Sequence, residues 1–135
     1  LEHVLTIGGD EETRGEYMFT RISDVTIDQK GNYYIVDGRE HCIRKFDSAG
    51  TYLTTIGRYG KGPGEFDFCK TVSLSEAGEI FVSDYRSQRL QRIPSEDSPD
   101  EATMSYDFDM VEDVQVISDS TLLLVPNVLS SSISR

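Results

Sequence analysis

Little in these 135 residues carries obvious chemistry. No apolar run approaches the roughly 20 residues that a membrane-spanning helix needs. Near the first residue no basic stretch is paired with an apolar one, so no signal peptide is expected within the chain. Two cysteines, Cys42 and Cys69, and two histidines, His3 and His41, are present. Neither cysteine sits in a Cys-x-x-Cys pair, and no metal-ligand spacing joins them to the histidines. Each is expected to be a buried or half-buried free thiol. The calcium-loop pattern Asp-x-Asp-x-Asp-Gly with a distal Glu is absent. Gly60, Gly62, Pro63 and Gly64 suggest a phosphate loop, but no helix follows and the Lys-Ser/Thr ending is missing. No segment has sustained helical periodicity. No Ser-His-Asp or Cys-His set can be named, so no catalytic residue, metal or cofactor is expected.

What remains is an acidic globular chain. Hydrophobic residues make up 37% and charged residues 27%, which fits a soluble domain rather than a disordered one. The formal charge is −11 and unevenly spread. Between Glu96 and Asp113 lie eight acidic residues and no basic one, while Arg21 to Arg92 holds eleven of the thirteen Lys and Arg. An acidic chain repels phosphate backbones, so nucleic acid is not an expected partner. The acidic run reads as a solvated loop between repeats.

The dominant signal is internal repetition. Residues 24–37 align with 71–84 at an offset of 47, placing Val25 on Val72, Ile27 on Leu74, Gly31 on Gly78, Ile35 on Val82 and Asp37 on Asp84. The same offset carries Ile43 to Leu90 and Phe46 to Ile93. A second block, Leu5-Thr6-Ile7-Gly8 with Gly15-Glu16-Tyr17, matches Thr54-Thr55-Ile56-Gly57 with Gly64-Glu65-Phe66 at 49. A degenerate third copy runs from Val114 to Leu124, echoing Val72 to Val82 at 42, with Ser120 in place of the turn glycine and Pro126 in place of the Asp.

Each repeat reads as four short strands. Val25 and Ile27 alternate with polar residues, the mark of a half-buried strand. Gln29-Lys30-Gly31-Asn32 makes a hairpin turn, and Tyr33 to Val36 is a strand packed on both faces. A turn at Gly38-Arg39-Glu40 leads to a strand from Cys42 to Phe46, and Asp47 to Gly50 turns into a fourth from Thr51 to Ile56. Four antiparallel strands repeated every 40–50 residues or so make a propeller blade. The expectation is an all-β fold, an incomplete β-propeller of about two and a half blades out of six. Its boundaries are an outer strand and connector at 1–19, a first blade at 20–66, a second with an acidic loop at 67–103, and a partial third at 104–135.

Gly31-Asn32-Tyr33-Tyr34-Ile35-Val36-Asp37, followed by His41 to Gly50 and the Gly-rich run Ile56 to Phe66, resembles the NHL repeat. The run Gly60 to Phe66 is similar to the connector of bacterial six-bladed propellers, many of them exported lipoproteins. The resemblance covers residues 1–93 well and 104–125 loosely. It implies a closed six-bladed ring with each blade's first strand nearest the axis, and a periplasmic or cell-surface location. Six blades need on the order of 280 residues. The chain is therefore expected to be part of a longer protein or to self-associate to complete the ring. Some six-bladed propellers are enzymes, including calcium-dependent lactonases and a metal-using NHL-type lyase. Their axial His, Glu and Asn ligands are too few here to support that, although other blades could supply them.

In blade topology the turn between strands two and three and the connector into the next blade emerge together. That face is expected to carry Arg21, Arg39, Glu40, His41, Lys70, Tyr85, Arg86 and Gln88, a surface for a protein, peptide or glycan partner. Cys42 and Cys69 fall near it and are expected to stay unpaired, although an exported chain leaves pairing open. Asp37 and Asp84 recur with the repeat, so their expected role is structural, accepting backbone N–H bonds from the following turn. Tyr33, Tyr34, Phe46, Phe66 and Phe68 are expected to pack between blades.

Overall fold

The computed structural model describes residues 4–8, 15–97, 102–107, 111–118 and 121–126. Strands β1 (Ile22–Ile27), β2 (Tyr33–Asp37), β3 (Cys42–Phe46) and β4 (Tyr52–Ile56) form one antiparallel sheet in chain order. A second follows with β5 (Cys69–Leu74), β6 (Ile80–Asp84), β7 (Arg89–Ile93) and β8 (Met104–Asp107). Strands β9 (Val111–Ser118) and β10 (Thr121–Pro126) pair as a hairpin. Among the described residues the one helical piece is a 3-10 turn, Gly15–Tyr17. The fold is all-β, two consecutive propeller blades and the inner hairpin of a third.

Local chemistry makes each hairpin. Gly31 and Gly78 adopt φ of 86° and 85°, where a side chain would be strained. Their N–H groups donate to Asp28 O at 3.1 Å and Ser75 O at 3.0 Å. Asp28 Oδ1 accepts from Lys30 N and Asn32 N at 2.9 Å each, and Ser75 Oγ accepts from Glu79 N at 3.0 Å. Different side chains thus close the same turn. The register repeats too: Ile27↔Tyr33, Leu74↔Ile80 and Val116↔Leu122 are equivalent pairs. In all three hairpins one extra residue bulges near the start of the inner strand, at Ser23, Lys70 and Glu112.

Two boundaries differ from the sequence expectation. Strand β8 pairs with β7, so the second blade runs to Asp107 rather than ending at 103, and part of the acidic run is an edge strand instead of a loop. Residues 4–7 form no strand, because no described strand lies where they could pair. The expected tail of the partial third blade, beyond Pro126, lies outside the described residues.

The core sits between the sheets. Tyr34, Val36 and Ile43 of the first pack against Val72, Ile80 and Val82 of the second, with Phe66 and Cys69 filling the loop end. Phe81 and Leu90 meet Val114 of β9 in the same manner. Inner strands are stitched by polar contacts: Ser23 Oγ donates to Cys69 O at 3.0 Å, Val72 N to Asp24 Oδ2 at 3.0 Å, and Val116 N to Ser73 Oγ at 3.0 Å. Antiparallel order sends the β2–β3 and β6–β7 turns and the inter-blade connectors to one end, called here the loop end. The β1–β2, β3–β4, β5–β6 and β7–β8 links lie at the other.

Candidate functional site

At the loop end a repeated carboxylate organises each blade. Asp37, fully buried at the end of β2, accepts from Thr20 N (2.7 Å), Arg21 N (3.0 Å) and Glu40 N (3.2 Å). Asp84, at the end of β6, accepts from Asp67 N (2.6 Å), Phe68 N (3.0 Å) and Ser87 N (3.1 Å). Every partner is shifted by 47. One donor in each set is the expected turn N–H, and the other two belong to the connector. The carboxylate therefore clamps the connector to the turn. Burial alone would raise the Asp84 pKa, but the N–H groups of Asp67, Phe68 and Ser87 outweigh it and hold the carboxyl below its usual range.

The clamp fixes where the predicted residues stand. Gly38 N donates to Arg21 O at 3.0 Å and Tyr85 N to Phe68 O at 2.9 Å, joining turn and connector. His41 and Gln88 end their turns with φ of 60° and 54°. His41 Nδ1 lies 2.5 Å from Asp67 O, and its ring meets Tyr59 edge-on at 4.8 Å. Phe68 lies against Gly38, where a Cβ would come within 2.9 Å of its ring. Arg86 sits over that Phe68 ring at 5.9 Å and lies 3.8 Å from an Asp67 carboxylate oxygen, while Lys70 covers Tyr85 at 4.9 Å. Glu40 accepts from Thr20 Oγ1 at 2.7 Å. Arg21 and Arg39 are exposed, and their guanidinium groups meet no partner among the described residues.

His41, Lys70, Tyr85 and Arg86 thus gather around residues 67–70, where the connector enters β5, with Arg21 and Arg39 beside them on the adjoining connector and turn. Gln88 is exposed at the end of its own turn. Sequence reasoning passed over Asp67 and Tyr59, which tie this cluster together. The offset of 47 puts Asp67 on Thr20, a clamp position, and was the available signal.

Connectors are held by the next blade's third strand. Gln91, fully buried on β7, accepts from Gly64 N at 2.7 Å and donates to Glu65 O at 2.6 Å. Arg44, its counterpart on β3, donates to Met18 O. Within the connector, Glu65 accepts from Gly62 N at 2.9 Å and from Arg58 Nε at 2.8 Å. The glycine-rich run is spent on its own folding.

Both cysteines are buried free thiols. Cys42 pairs across the sheet with Asp37, and strand alternation puts it on the face of Arg44 and Phe46, opposite Ile43. Ile43 faces the second sheet, and so does the backbone on which Cys69 Sγ rests, 3.7 Å from Cys42 O. The two side chains lie on opposite faces of the first sheet, an arrangement that cannot be bridged. Burial, followed by charge on Cys42, pushes the Cys69 thiol up to about 12. Among the described residues no group of three His, Cys, Asp or Glu is placed to hold a metal ion.

Residues 11–113 match the model of a family described as "6-bladed beta-propeller". The chain belongs to that family. It is also similar to the Caenorhabditis elegans "Probable peptidyl-alpha-hydroxyglycine alpha-amidating lyase pgal-1", 25% identical over 121 residues, covering 76% of this chain and 35% of the relative. Among solved structures it is similar to a "Putative exported protein" of Bacteroides fragilis, with a TM-score of 0.69 and 16% identity over 84% of this chain and 32% of the other. At that identity the likeness speaks to fold alone. The propeller chain spans about a third of the length of both proteins. Among the described residues no helix is long and apolar enough to cross a membrane.

Proposed function

We propose that this propeller segment is an NHL-type, non-enzymatic module, working outside the cytoplasm, that binds a protein, peptide or glycan partner through its loop end. One observation carries the reading: Arg39 and Arg86 occupy the same place in consecutive turns, with His41 and Tyr85 in those turns, Arg21 in a connector and Lys70 at the start of β5, and none of them serves the core. A peptide is the favoured class, since the relative in Caenorhabditis elegans is named for a peptidyl substrate. The exported description of the Bacteroides fragilis neighbour supports the location. The test is a peptide and glycan array probed with the purified chain, repeated with Arg39→Ala/Arg86→Ala. Binding that the double variant loses supports the reading; binding that it leaves intact sinks it.

A second reading, a piece of a metal-dependent propeller hydrolase or lyase, is favoured by that same relative. Its ligands would have to come mainly from other blades. Calcium- or zinc-dependent stabilisation of a longer protein containing this segment would favour it over the first.

A further inference from the structure

Charge divides between the two ends of the blades. At the end opposite the loop end, the described turns carry Asp28, Asp47, Glu76, Glu79, Glu96 and Asp97 against Lys30, with Lys45 and Arg92 of the neighbouring strands paired to Glu96 and Glu79. At the loop end the exposed cations outnumber the exposed acids, Arg21, Arg39, Arg58, Lys61 and Arg86 against Glu16, Glu40 and Asp107. Asp37 and Asp84 are buried in their clamps, Glu65 is engaged by Arg58 and Gly62, and Asp67 lies beside Arg86. Arg21 and Arg39 stay exposed, and the Arg86 side chain remains 67% exposed beside Asp67, a pairing too open to neutralise it. In a chain of net charge −11, this end is therefore where the described surface favours an anion most.

The aromatic rings narrow the chemistry further. Two of the loop-end rings carry a cation, Lys70 on Tyr85 and Arg86 on Phe68, whose ring also lies against Gly38, while Tyr59 stays 64% exposed with His41 beside it. What the surface offers is cationic groups seated on rings, with flat guanidinium forks matched to carboxylates. The same position carries Arg in two successive blades, so the cations form a row that an extended chain can follow.

From these observations we infer that the loop end takes an acidic peptide segment, its Asp or Glu carboxylates spanning the Arg39 and Arg86 turns. This rests on the loop end being the binding face, and it adds the charge and class of the ligand.

The test uses the intact chain and fluorescence polarisation with a labelled oligoglutamate peptide, an oligolysine peptide and an uncharged Gly/Ser peptide of equal length. The oligoglutamate binds, and its affinity falls at least about tenfold between about 20 mM and about 500 mM salt. Arg39→Glu/Arg86→Glu weakens it by at least about tenfold, whereas Lys30→Glu at the far end leaves it unchanged. Arg39→Gln/Arg86→Gln, with a thermal melt on every variant, separates lost charge from lost fold. Oligoglutamate that fails to bind, or binds the reversed variant equally well, overturns the inference. So does an oligogalacturonate that displaces the peptide and binds more tightly, since it makes the ligand an acidic glycan. An array that finds neutral or basic ligands lost on Arg39→Ala/Arg86→Ala would sink the acidic peptide while leaving the loop-end reading standing.

Discussion

Strands β1 and β5 are the same element in different surroundings. Val25 and Val72 are equivalent in sequence, strand position and register, yet Val25 is 50% exposed and Val72 only 4%. Ile22 is 51% exposed, while its counterpart Cys69 is fully buried. The difference lies in the neighbour: Val72 has the first sheet against it, and no described sheet covers Val25. Blade faces are therefore built for stacking before anything stacks on them, and an exposed valine on β1 marks a face shaped to receive another blade.

The same substitution at both positions gives the largest expected contrast. Val72→Asp should destabilise the chain by about 3–5 kcal/mol through an uncompensated buried charge. Val25→Asp should cost no more than about 0.5 kcal/mol, as an exposed substitution does. Chemical denaturation of both variants checks this. If Val25→Asp proves equally costly, β1 is covered in solution and the contrast collapses.

The clamps should behave alike where the faces do not. Asp84→Asn and Asp37→Asn should each lose about 2–3 kcal/mol, since backbone donors lose a charged acceptor. The pKa of Asp84 is depressed in the fold, so the unfolded chain takes up the proton first. Its contribution is present above the usual carboxylate range near 3.8 and is lost as pH falls through the lower folded value. Urea melts from pH 6 to 2 should show the acid limb shallower in Asp84→Asn. A limb of unchanged steepness would assign acid sensitivity to other carboxylates, with Asp28, also held low against burial by Asn32 and Lys30, the next to test.

The connectors provide a finer comparison. Gly57 and Gly8 are equivalent and take φ of 92° and 83°. A Cβ on Gly57 would run into the buried Phe66 ring, and one on Gly8 would lie 2.9 Å from Tyr17 O. Both Gly57→Ala and Gly8→Ala should cost at least about 1 kcal/mol, from positive φ together with a close contact, and Gly57→Ala the more, because its contact is with a buried ring. Melting temperatures compare the two, and an equal loss would mean that the Phe66 ring yields as readily as the Gly8 surroundings.

How much was legible in the sequence follows from which interactions are local. The turns at Gly31 and Gly78, the strand alternation and the fourteen-residue match of 24–37 with 71–84 all lie within a few residues of one another, and the strands form where they predict. Strand β8 escaped notice because Met104-Ser105-Tyr106-Asp107 is an exposed edge inside an acidic run, with no buried face to impose alternation. The Asp37 and Asp84 roles were half visible. Their turn N–H groups lie three residues away, whereas their connector donors lie 16 or 17 residues back. The gathering of His41, Lys70, Tyr85 and Arg86 around Asp67 and Phe68 is a consequence of those longer bonds.

By itself the sequence determined a repeating four-strand unit, because strand period and turn chemistry are short-range. It also put Arg39 and Arg86 in matching turns. Only the tertiary structure decided which equivalent faces are buried, which face of the first sheet each cysteine occupies, and at which end exposed cations outnumber exposed acids. Those outcomes depend on what packs against a strand and on the direction in which antiparallel order carries each loop. A repeat copies the strand, and its neighbours differ from one copy to the next.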